Sequence, residues 1–196
     1  MARAGLSGAR LAQAGADLAD EVGFDQVTVS ALARRFGVQV ASLYSHVKSS
    51  QDLKARIATV ALSELADAAG AALAGRARQD ALAAFANVYR DYAHAHPGRY
   101  AAARFVPATP SPEHLEAGRR HTELTRALLR GYDLDEPAQT DAIRLLGSVF
   151  HGYVSLELAG SFSHSSPSSP DSTGSWHRIL DSLDSLLRTW PERHTP

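Results

Sequence analysis

The stretch RRFGVQVASLYSHVKSSQDL, residues 34–53, breaks a helical pattern at a single glycine. Leu32 and Phe36 stand four apart before Gly37, and Leu43 and Val47 stand four apart after it. Each pair marks one apolar face of a short helix. A tight turn between two such helices needs a left-handed residue, which glycine supplies without steric cost. The spacing therefore predicts one helix from Thr28 to Phe36 and a second from about Gln39 to about His46. Two short helices joined in this way form a helix-turn-helix, whose second member fits a DNA major groove. They equally describe a plain corner in a helical protein, and both readings stand at this point.

The rest of the chain is helical in pattern as well. Leu11, Ala14, Leu18 and Val22 recur at three- and four-residue steps, with Ser7 as a cap and Gly23 as a stop. Ser49, with Asp52 three residues on, resembles a capping box and opens a long helix reaching about Gly75. Further helices are expected from about Asp80 to Pro97, from Ser111-Pro112-Glu113 to Gly131, from Pro137 to Ala159, and from Trp176 to Trp190. The serine- and proline-rich residues 161–175 read as a loop. No strand-type alternation of useful length occurs. The expected fold is all-α, with about nine helices.

Charge and composition narrow the function. The net charge is −1, so any surface for nucleic acid has to be local. Residues 1–60 carry seven arginines and lysines against five acids, a small excess of the right sign. Cysteine is absent, which excludes disulfides and suits a reducing, cytoplasmic setting. No apolar run approaches the roughly eighteen residues of a membrane span. Acids at Asp17, Asp20 and Glu21 argue against a signal peptide. Nine histidines raise the question of a metal, but none form a His-x3-His pair. No Gly-x-Ser-x-Gly elbow and no glycine-rich phosphate loop is present. Neither catalysis nor a metal nor another cofactor is expected.

The outward positions of the second short helix, Gln39, Val40, Ala41, Ser42 and Ser45, include no acid. Tyr44, His46 and Lys48 follow at steps of two, and each can reach a phosphate oxygen. The segment TVSALARRFGVQVASLYSHVKSSQDL, residues 28–53, resembles the DNA-binding segment of the tetracycline-repressor (TetR) family. Thr28, Leu32, Ala33, Gly37, Val38, Leu43, Tyr44, His46, Ser49 and Leu53 match that family's pattern in register. Val47 stands where the pattern has Phe, and Ser50 where it has Lys. The resemblance implies a homodimeric transcriptional regulator, usually a repressor, that binds a palindromic operator in double-stranded DNA and is released by a small molecule. It implies a DNA-binding head over residues 1–48 and an effector-binding and dimerisation domain over 49–196. Thr28, Tyr44, His46 and Lys48 would hold the DNA backbone, and Gln39, Val40 and Ser42 would face bases.

The second half has a weaker likeness to the subgroup with a Trp-His-Gly motif, here Phe150-His151-Gly152. Phe85, Tyr89, Tyr92, Phe105 and Phe150 line a candidate effector cavity, or are plain core. His121 and His151 would orient a polar atom of an otherwise apolar effector. In such folds the last two long helices pair across the dimer, which points to Leu183, Leu186 and Leu187. A helical interaction protein or enzyme that merely carries the corner is the competing class.

Overall fold

Ser7 starts the first helix by accepting a hydrogen bond from the Arg10 N–H at 3.2 Å. The computed structural model describes residues 5–163 and 171–190. Within them the chain forms α1 (Gly8–Val22), a 3-10 turn (Phe24–Gln26), α2 (Val29–Phe36), α3 (Val40–Leu43), α4 (Ser50–Leu73), α5 (Arg78–Ala95), α6 (Pro97–Ala103), α7 (Pro112–Leu129), α8 (Glu136–Leu158) and α9 (Ser172–Arg188). No strand occurs among the described residues. The expected all-helical fold is the observed one.

Outside residues 28–53, two elements differ from the sequence reading. Pro97 ends α5 as expected but also starts a further helix, α6, at its first position, where a missing N–H costs nothing. The segment read as a loop up to residue 175 already contains the start of α9. Asp171 caps it through the Gly174 N–H at 2.7 Å. Residues 164–170 of that segment lie outside the described residues.

The chain divides into two units, Met1–Asp67 with Tyr92–Arg120, and Ala68–Asp91 with His121–Pro196. The first has a core of Leu11, Leu32, Leu43, Leu53 and Ile57, all buried, from α1 to α4. Here α6 packs along α1. Its Arg99 inserts among Asp17 and Asp20 of α1 and Glu64 of α4.

The second unit is built on Phe85, Leu129, Leu146, Phe150, Trp176 and Leu187. Trp176 is fully buried, and its indole N–H donates to Asn87 Oδ1 at 2.8 Å. Arg90 grips Glu157 with two bonds of 2.8 Å and donates to Thr173 at 3.0 Å, tying α5 to α8 and α9. Asp184 of α9 accepts from the Tyr132 hydroxyl and from Arg188, both at 2.7 Å. Burial pushes the Asp184 carboxyl up, but the bonds from Arg188 and Tyr132 outweigh it, so it titrates below the usual carboxylate range. A depressed folded value means that the charged form stabilises the fold above the unfolded value, about 3.9, and that this contribution fades as pH falls through the folded value. Asp184→Asn is expected to lower the melting temperature at pH 7 by a few degrees, with the gap to the parent closing below about pH 4. A gap of equal size at pH 3 and pH 7 would show that the charge contributes nothing.

Candidate nucleic-acid interface

Thr28 caps α2 by accepting from the Ala31 N–H at 3.1 Å, while Val29 and Leu32 are buried beneath. At the other end Gly37 takes φ +63° and ψ +34°, the left-handed region. The Val38 N–H returns to the Ala33 carbonyl at 3.0 Å, which satisfies an orphan carbonyl and turns the chain sharply. This is the geometry that Gly37 predicts from the sequence.

Helix α3 is one short turn, with Gln39 as its N-cap residue. It is shorter than expected. The His46 N–H bonds to Leu43 O at 2.9 Å, an i to i+3 closure that tightens Tyr44–His46 into a turn. Leu43 is fully buried and anchors α3 to the core. Gln39, Ala41, Ser42 and Tyr44 are exposed, and Val40 is half-buried. Tyr44 keeps 52% of its surface in solvent, unusual for so large a ring, so the fold presents it rather than using it as packing. His46 is half-buried and Lys48 exposed in the turn beyond. Val47, the small residue at the Phe position, is almost fully buried in the core.

Helix α4 starts against this surface through reciprocal bonds. Ser49 Oγ accepts from the Asp52 N–H at 3.1 Å, and Asp52 Oδ2 accepts from the Lys48 N–H at 2.7 Å. Burial raises the Asp52 carboxyl, yet the Lys48 N–H and Arg56 together hold it below the usual range. Asp52 thus remains an anion that fixes the turn carrying Lys48.

The seven residues singled out for DNA therefore lie at the N-cap of α2, at the N-cap and on the turn of α3, and in the turn that follows, within one short stretch of chain. The arrangement offers a short, non-acidic helix with a phenol, an imidazole and an ammonium at its end. Such a surface can enter a groove and bond phosphates beside it. It holds no nucleophile–base pair.

The aromatic residues considered for an effector separate. Phe85, Tyr89 and Phe150 meet in the second unit, with ring centroids 5.1 to 6.5 Å apart. The Tyr89 hydroxyl lies 2.8 Å from His121 Nδ1, while His151 bonds Ser155 on its own helix. Tyr92 and Phe105 belong to the first unit instead. Tyr92 donates to Glu64 at 3.1 Å, and burial, then that carboxylate, push its hydroxyl far up. Phe105 sets its edge on Phe24 at 5.6 Å, beside the 3-10 turn. Of the three leucines on α9, Leu183 and Leu187 are buried in the chain's own core and only Leu186 is exposed. Their spacing shows an apolar stripe, but not which of its sides is already covered from within.

Sequence comparison adds a separate line of support. Residues 11–57 match the family profile described as bacterial regulatory proteins, tetR family. Residues 82–183, more than half of the chain, match the profile described as tetracyclin repressor-like, C-terminal domain. An uncharacterised HTH-type transcriptional regulator of Mycobacterium tuberculosis is 37% identical over 142 residues, 72% of this chain and 65% of its own length. The chain thus spans just under two thirds of that relative. A Rhodococcus sp. RHA1 protein of unknown function has the same fold, with a TM-score of 0.76, 21% identity, and coverage of 95% of this chain and 98% of its own. A TetR variant from Acinetobacter baumannii AYE, solved in complex with minocycline, aligns with a TM-score of 0.68 and 20% identity over 96% of this chain and 100% of its own.

Proposed function

Since the chain belongs to the tetracycline-repressor family of DNA-binding transcriptional regulators and is no enzyme, we propose that it is a repressor. It binds a palindromic operator as a homodimer and leaves it when a small, largely apolar effector binds. The exposure of Tyr44 and Gln39 around a buried Leu43 is the observation that carries this reading. Two such heads on half-sites about 34–36 Å apart would face successive major grooves. Residues 1–48 serve as the head and 49–196 as the regulatory domain, and a protein that works on chromosomal DNA acts in the cytoplasm.

Within the head, Thr28, Tyr44, His46 and Lys48 position the backbone, and Gln39, Val40 and Ser42 face bases. Gln39 is suited to adenine N6 and N7, and Val40 to a thymine methyl. Gln39→Ala is expected to relax preference at one operator position by about 1–3 kcal/mol. Sites selected from a random duplex library by the parent chain and by this variant provide the check. An unchanged consensus would remove Gln39 from the reading set, and failure of the parent chain to select any site would overturn the regulator reading.

The effector is placed beside Phe85, Tyr89 and Phe150, with His121 and its bonded Tyr89 hydroxyl as the polar anchor. The minocycline held by a protein of the same fold supports a small-molecule ligand here. For the dimer, Leu156 of α8 and Leu186 of α9, 50% and 39% exposed, replace the buried Leu183 and Leu187 as contact residues. A two-fold axis brings each side chain in twice, so Leu156→Glu with Leu186→Glu puts four like charges into the seam. Light scattering is expected to give a monomer with its helicity kept. A stable dimer would move the interface elsewhere.

A further inference from the structure

The amino-terminal cations are not equally available to a ligand. Arg35 is held by Glu21 at 2.7 Å, Lys54 faces Asp25 at 3.7 Å and Arg56 is bonded to Asp52 at 3.0 Å. Arg10, Arg34 and Lys48 have no carboxylate within 4.0 Å among the described residues. Lys48 is already part of the proposed interface. Arg10 lies on a different helix, in the first turn of α1, far from the motif in sequence.

Two features of Arg10 point to a ligand. Its guanidinium carbon stands 5.7 Å from the centre of the Phe36 ring at the end of α2, a cation–π distance. The ring restrains a long side chain without neutralising it. Arg10 also borders a groove of about 670 Å³ lined by Phe36, Val38, Ser42, Ser45 and His46. One wall of that groove is therefore the α3 segment itself. The Ser45 hydroxyl is committed to the Ser42 carbonyl at 2.7 Å. Arg10 is the permanent positive charge that borders the groove.

We infer that Arg10 binds a backbone phosphate of the DNA strand that α3 reads, with the groove receiving the sugar–phosphate chain. The inference rests on the regulator reading above. An uncharged occupant would leave the guanidinium without a counter-charge. A phosphate supplies one, and its oxygens match the planar fork of arginine. The groove adjoins Ser42 and His46, so the strand that meets those residues passes Arg10. The α1 helix would then share in DNA binding beyond its role in the core.

The test is a salt titration by fluorescence anisotropy with two duplexes, one selected by the parent chain from a random library and one unselected. Arg10→Ala is expected to weaken both by a similar factor, about tenfold at low salt. The slope of log affinity against log salt is expected to fall by about 0.9 for each head bound. Arg10→Lys should restore the slope but only part of the affinity, because a point charge lacks the fork. Unchanged affinity and slope in Arg10→Ala, with a melting curve like the parent's, would overturn the inference alone. Weakening confined to the selected duplex with an unchanged slope would overturn it too, by making Arg10 a base reader. Selection of no duplex by the parent chain would instead overturn the regulator reading beneath it.

Discussion

Gly98→Ala is expected to cost about 3 kcal/mol or more and to push α6 away from α1. Gly98 is buried in the first turn of α6, against the end of α1. A Cβ there would lie 1.9 Å from the Ala19 carbonyl oxygen, 2.0 Å from its carbon and 2.5 Å from the Asp20 nitrogen. All three are backbone atoms of a helix, so no rotamer change relieves the overlap. The better helix propensity of alanine, about 1 kcal/mol, is too small to compensate. Gly15 is the control. Its added Cβ would meet Ile57 Cδ1 at 2.5 Å and Cγ1 at 2.8 Å, atoms of a buried side chain rather than of a helix backbone. Since propensity favours alanine inside α1 and a side chain can yield where a helix backbone cannot, Gly15→Ala should cost less than Gly98→Ala. Thermal melts are expected to show Gly98→Ala lower by about 6–12 °C, at about 2–4 °C per kcal/mol for a chain of this size. A melting temperature within about 2 °C of the parent would show that the two helices separate without penalty.

Much of the head could be read from the chain because its signals are local. Thr28 with the apolar step to Leu32 gives the start of α2, and Gly37 gives its end. Each depends on neighbours within one or two turns. The α6 docking has no such signature. Pro97 is a stop for α5 and a first-turn residue for α6, and the sequence displays only the first role. The tight approach at Gly98 is made to Ala19, 79 positions away in sequence, and the partners of Arg99 lie on α1 and α4. The same limit separates the aromatic residues. Tyr89 and Tyr92 stand three apart on one helix, yet one bonds His121 in the second unit and the other Glu64 in the first. Asp171 was the available signal for the start of α9, but serine, threonine and glycine around it resemble a loop until the cap is seen. On α9 itself, periodicity finds the apolar stripe but cannot tell a face covered by α8 from one left for a partner chain.

Arg99→Met should be strongly destabilising. The guanidinium bonds Asp17 and Asp20 with its two terminal nitrogens, and its Nε lies 3.2 Å from Glu64. Asp20 also accepts the Arg99 backbone N–H at 2.8 Å and faces His96 Nδ1 at 3.0 Å. One cation therefore holds three carboxylates on two helices. Methionine keeps most of the packing stem and removes only the charge. Losing one partner of a buried ion pair costs about 3–5 kcal/mol. The Arg99 side chain is 11% exposed, but those of Asp17, Asp20 and Glu64 are 44%, 16% and 37% exposed, so water screens part of the repulsion. The lower end, about 3 kcal/mol, is the expected value. Arg99→Lys should recover only part of it, since one ammonium cannot span three carboxylates in the plane of the fork. The pH dependence separates charge from shape. In the variant the three carboxylates face one another without a counter-charge, and acid relieves that repulsion by neutralising them. The stability deficit relative to the parent should shrink as pH falls from 7 to about 4, and Asp17→Asn combined with Arg99→Met should cost less than Arg99→Met alone. A deficit of the same size at both pH values, unrelieved by the second change, would mean that Arg99 acts through packing and not as the counter-charge that fixes α6 to α1 and α4.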